Sequence, residues 1–122
     1  MPISKAIAAT QMVRFHYSLG KDPGYRLVEP HMIAYTHDGN RALSAWYLSG
    51  ASDSNEGPGW RIYLMSGVSQ IQIQPRTFAG PRPGYQADGG KSFHMVECAL
   101  RKPLQTPTNR RALIQLGCKT QT

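Results

Sequence analysis

The run "YRLVEPHMIAYTHDGNRALSAWYLSG", Tyr25 to Gly50, carries the decision about the fold. Both halves are rich in Tyr, Leu, Val, Ile and Trp, residues that suit a pleated, half-buried surface. Between them, "HDGN" (His37–Asn40) holds an Asp-Gly pair that accepts positive φ, the chemistry of a tight hairpin turn. Two antiparallel strands are therefore expected. In the first of them Arg26, Glu29 and His31 interrupt the apolar residues, and Pro30 stands in the middle. Proline cannot donate to a sheet ladder, so it marks an edge or a bulge. A bulge at Pro30 shifts the phase by one residue and lets Arg26, Val28 and His31 share a face.

Upstream, "MVRFHYSL" alternates, with Val13, Phe15 and Tyr17 on one side and Arg14, His16 and Ser18 on the other. "ISKAIAATQ" has the spacing of a short helix, with Ile3, Ala6 and Ile7 on one side and Ser4 as a cap. Downstream, "WRIYLM" and "SQIQIQ" read as strands around an "SGV" bend, and "SFHMVECAL" reads as a last strand. The Pro- and Gly-rich "PRTFAGPRPGYQADGGK" is an irregular connection. Short strands bounded by turns after one short helix predict an all-β domain, a sandwich or small barrel of five to six strands over residues 1–100. Closing the sheet into a barrel removes edges that a small sheet cannot easily protect. Alternation assigns Val13, Phe15, Val28, Ile33, Leu43, Trp46, Ile62, Leu64, Ile71 and Ile73 to the core. Residues 101–122 read as a basic tail, with "NRRALIQLG" as a short helix capped by Asn109 and stopped by Gly117.

Fourteen Lys and Arg stand against seven Asp and Glu, a formal net charge of +7, and the five basic residues after Leu100 have no acid among them. That excess favours an anionic partner, nucleic acid or a nucleotide ahead of a membrane. No apolar run reaches the ~20 residues of a membrane span. Cys98 and Cys118 stand alone, without metal-ligand spacing, and read as free thiols in a reducing cytoplasm. No metal or cofactor is implied. The motifs of phosphate-binding loops, nucleophile elbows, zinc peptidases and kinases do not occur.

The order "VRFHY", "YRLVEP", hairpin turn, "LSAW", "WRIYLMSGVSQI" resembles the WYL domain family over about Ile3 to Ile73. The resemblance implies a small Sm-like (Src-homology-3-like) β-barrel that senses ligands in bacterial transcription regulation or phage defence. It also implies a ligand face built from Arg26 and His31, with Tyr17 and Arg61 from neighbouring strands. The chain departs from the family pattern in reading Arg41-Ala42-Leu43 after the hairpin turn, where Trp-Tyr-Leu is usual. It also has Leu64 and Gly67 where two arginines would lie. The reading is of a divergent, free-standing relative with its own extension from Gly80 to Leu100.

The chemistry of the four residues suits phosphate. A guanidinium presents a planar fork of donors, and Tyr and His can donate hydrogen bonds or stack on a base. Trp46 and Trp60 are a candidate stacking pair. Each residue also has a structural alternative: an Arg26–Glu29 ion pair, a satisfied half-buried His31, and Tyr17 and both tryptophans as core. The expectation is a non-enzymatic module that binds an anionic ligand. A protein-interaction module, a phage or defence-system accessory whose barrel edge and basic tail dock a partner or a second copy, is the first alternative. A small hydrolase acting through His31 and Glu29 is the second.

Overall fold

The computed structural model describes residues 2–52, 57–101 and 117–118. A helix, α1 (Pro2–Ala8), leads into β1 (Gln11–Tyr17), β2 (Gly24–Tyr35), β3 (Arg41–Gly50) and β4 (Gly59–Leu64). A single 3-10 turn (Met65–Gly67) joins β4 to β5 (Val68–Thr77), and β6 (Met95–Ala99) and β7 (Gly117–Cys118) follow. All the strands belong to one antiparallel sheet, in the order β4-β3-β2-β1-β5, with β6 on β2 and β7 on β6. The expected mostly-β fold with one short leading helix is present. Ser4 lies inside α1 rather than capping it. The turn after β2 is the expected hairpin, with Gly39 at φ 83° and its N–H donated to the Thr36 carbonyl at 2.9 Å. The helix proposed for "NRRALIQL" lies outside the described residues, and Gly117, expected to stop it, begins β7.

The sheet is rolled, and the reason is arithmetic. β4 and β5 are opposite ends of a five-strand path, four gaps of about 4.8 Å apart, so about 19 Å if flat. Yet only Met65–Gly67 lies between them, and 3-10 geometry rises about 2 Å per residue. The edges must therefore approach each other. The Ser18 N–H donates to the Gly67 carbonyl at 3.0 Å, and the Leu64 N–H donates to the Tyr17 hydroxyl at 3.0 Å. Among the described residues, no ladder joins β4 to β5.

Inside the roll, Val13, Phe15, Val28, Ile33 and Leu43 are fully buried, as alternation predicted. So are Ile3, Ala6 and Ile7 of α1, the stripe that a helix this short needs in order to dock. The other half of the predicted core needs correction. Ile62 is 51% exposed, Ile73 is also exposed, and Trp46, Leu64 and Ile71 are only partly buried. In β4 the inward residue is Tyr63, whose ring meets Phe15 edge-on at 5.1 Å and Tyr17 at 5.0 Å. The strand presents Trp60, Ile62 and Leu64 to the outer face, which the 78–94 segment partly covers with Phe78, Tyr85 and Phe93.

The cysteines also need correction. Cys98 is disulfide-bonded rather than a free thiol, and the β6–β7 register sets Cys118, the other cysteine, directly opposite. Directly paired antiparallel residues have Cα separations that suit a disulfide. The cysteine-based argument for a reducing compartment therefore falls away. Among the described residues, no helix is long and apolar enough to cross a membrane.

Candidate functional site

The four residues drawn from the family resemblance divide into two clusters. Arg26 and Tyr17 are buried in the roll. The guanidinium of Arg26 sits 5.0 Å from the Tyr17 ring centroid and 5.8 Å from that of Tyr63. It donates to the carbonyls of Asp22 at 2.9 Å, Gly24 at 3.3 Å and Tyr17 at 3.5 Å. A buried charge is tolerated only where its donors are met, and here the turn between β1 and β2 wraps its carbonyls round Arg26. Burial and the neighbouring aromatics push the Tyr63 hydroxyl up to about 12. Arg61 stands at the end of the same interior, 5.2 Å from the Tyr47 ring. Its donors go to the carbonyls of Trp60 at 2.9 Å and Gly57 at 3.0 Å.

His31 belongs elsewhere. The expected irregularity exists: the ladder slips between Pro30 and Met32, leaving His31 as the extra residue. The slip brings His31 to Glu29 and the 78–85 segment, not to Arg26. Glu29 pairs with Arg82 rather than Arg26, bidentately at 2.7 and 2.8 Å. His31 Nδ1 lies 2.8 Å from the Glu29 carbonyl, which only accepts, so Nδ1 carries the proton. Nε2 accepts the Arg82 N–H at 3.2 Å. The ring is fully buried, stacked on Phe78 at 5.4 Å and edge-on to Trp60 at 4.8 Å. Burial holds its pKa below the ordinary 6.5.

The tryptophans join this second cluster. Trp46 meets Trp60 edge-on at 5.6 Å and lies under the Arg82 guanidinium at 5.0 Å. Trp60 donates its indole N–H to the Pro83 carbonyl at 2.8 Å. The two tryptophans, Glu29 and His31 thus anchor the 78–85 segment to the sheet.

A third group lies on the open face of β1 and β5. The Arg14 guanidinium sits 3.9 Å over the Tyr25 ring and donates to Gln72 Oε1 at 3.2 Å. His16 meets Tyr25 edge-on at 5.2 Å, and the Tyr25 hydroxyl donates to Gln70 Oε1. Gln70 takes φ 51°, a left-handed conformation rare outside glycine, where β5 gains a residue between the Arg14–Gln72 and His16–Ser69 pairs. The bulge turns the Gln70 amide toward Tyr25. Neither β1 nor β5 contains an Asp or Glu. The signal for this group was present in the sequence: alternation placed Arg14 and His16 together, opposite Val13 and Phe15. Only the pairing of β1 with β5 brings the glutamines beside them.

No protein-family model matches the chain, and no curated protein or solved structure matches it significantly.

Proposed function

We propose that this chain is a non-enzymatic module that binds single-stranded nucleic acid across the open face of β1 and β5. The observation that carries this reading is the Arg14–Tyr25 pair beside β1 and β5, two strands that contain no Asp or Glu. A cation lies over an aromatic ring, flanked by an imidazole and two carboxamides. Such a surface offers a ring for base stacking, a guanidinium for phosphate and amides for base edges. The formal net charge of +7 adds long-range attraction. The rolled five-strand path behind a leading helix is what an Sm-like barrel of the WYL kind would present. Under that resemblance the module serves ligand sensing in bacterial transcription regulation or phage defence. Arg26 and Arg61 then shape the barrel interior and its turns, and Arg14 and Tyr25 take the ligand.

The test is fluorescence anisotropy with a labelled single-stranded oligonucleotide, across a salt series. Affinity should fall as salt rises, because displaced counterions drive binding. Arg14→Ala with Tyr25→Ala should weaken binding about tenfold or more, stacking alone being worth about 1–3 kcal/mol per base. The salt slope should fall by about one. Unchanged affinity in a folded double variant refutes the assignment.

A further inference from the structure

At the β4–β3 end of the strand order, the outer face of these strands meets the 84–93 loop in a cleft of about 160 Å³. Its apolar lining includes Met32, Ile62, Trp60 and Phe93. Three uncharged polar side chains, Ser44, Gln86 and Ser92, line it as well, and no charged residue does. None of the three side chains makes a hydrogen bond among the described residues, whereas Trp60 spends its N–H on Pro83. The Gln86 amide is seated against Gly90, where a Cβ would lie 1.9 Å from its Oε1. The φ of 55° favours glycine there, and the exposed Gln86 carboxamide lies close over its Cα. Ile62, 51% exposed, is a large aliphatic side chain left open in the middle of this lining.

We infer that this cleft binds one neutral, planar heterocycle with a donor–acceptor edge, the chemistry of a free nucleobase. Apolar walls with a few convergent polar groups are the usual form of a small-molecule site. The volume lies below the roughly 300–1,000 Å³ typical of drug-sized ligands, so it suits a single ring system rather than a whole nucleotide. The absence of charge from the lining excludes a phosphate as the recognised group. Trp60 and Ile62 supply flat apolar contact. The Gln86 amide, which presents a donor and an acceptor side by side, suits the paired edge of a purine such as adenine.

The inference does not rest on the β1–β5 face, and its test separates the two. Trp46→Phe leaves Trp60 as the chain's single tryptophan, so its emission reports on the cleft. Titration of that full-length variant with adenine should give saturable quenching. Gln86→Leu should weaken adenine about tenfold or more but leave indole, which lacks the paired edge, unchanged. Ser44→Leu, which puts a larger side chain into the lining, should abolish both. Arg14→Ala with Tyr25→Ala should leave adenine binding intact. Absence of saturable quenching by adenine overturns the inference. So does adenine binding that Gln86→Leu does not alter, because the cleft would then be a generic apolar site.

Discussion

The Tyr17 hydroxyl accepts the Leu64 N–H at 3.0 Å, joining the end of β1 to the end of β4 across the seam of the rolled sheet. Tyr17 is also the residue whose backbone pairs with Val68 at the start of β5. One residue, through its side chain and its backbone, thus ties both ends of the 3-10 turn to the first strand. Tyr17→Phe keeps the ring and removes the acceptor, stranding a part-buried N–H. The cost should be about 1–3 kcal/mol, read as a shift in urea midpoint without a change in slope. No shift would mean that water replaces the hydroxyl.

The orientation of β4 gives a paired prediction. Tyr63→Ala empties the interior beside Phe15 and should cost about 3–5 kcal/mol. Ile62→Ala, on the open outer face, should cost under about 1 kcal/mol. The reverse order in thermal or chemical unfolding would place the core on the other side of the strand.

How far the sequence could be read follows from these two residues. Alternation placed Val13 and Phe15 of β1, Val28 and Ile33 of β2 and Leu43 of β3 correctly, but not Trp46, which lies on the outer parity of β3. In "WRIYL" the plainly apolar parity, Trp60, Ile62 and Leu64, is the one that faces outward, because that face of the sheet is covered too, while Arg61 and Tyr63 form the inward parity. The outer cover comes from Phe78, Tyr85 and Phe93, which no local pattern ties to Ile62. The polar residues of β2 raised the same difficulty. Arg26 is met by backbone carbonyls of a turn, which no reading of side chains reveals, and the partner of Glu29 is Arg82, 53 residues away. The bulge at Pro30 was legible, but the side to which it turned His31 depended on that distant segment.

His31 predicts a pH dependence. Its pKa is lowered in the folded state, chiefly by burial, below the 6.5 expected when unfolded. The unfolded chain therefore binds the proton more readily. Stability is full above about pH 6.5 and falls as pH drops below it, by up to about 1.4 kcal/mol per unit. Protonation of Nε2 would also set a donor against the Arg82 N–H. Urea unfolding at pH 8 and pH 5.5 should show the loss, and His31→Gln should flatten it. Glu97, lowered by its hydrogen bond from Arg41, acts in a separate window, below the ordinary carboxylate value of 4.5. An equal slope in His31→Gln would assign the loss to another group.

The Glu29–Arg82 pair should behave as a coupled unit. Arg82→Met leaves a buried carboxylate alone and should cost about 3 kcal/mol, the low end for such pairs because Arg82 is partly exposed. Glu29→Gln in the Arg82→Met background should recover part of that loss. Strict additivity in the double-mutant cycle would show that the pair contributes no interaction energy.

The long strand β2 is bonded to β1, β3 and β6, three partners where the edge strands have one each. No single partner can detach and free it. In native-state hydrogen exchange, its amides should therefore open only with the whole molecule, while those of β4 and β5 exchange through smaller openings. The proposed nucleic-acid face and the proposed cleft site would then sit on separately breathing flanks of one rigid spine.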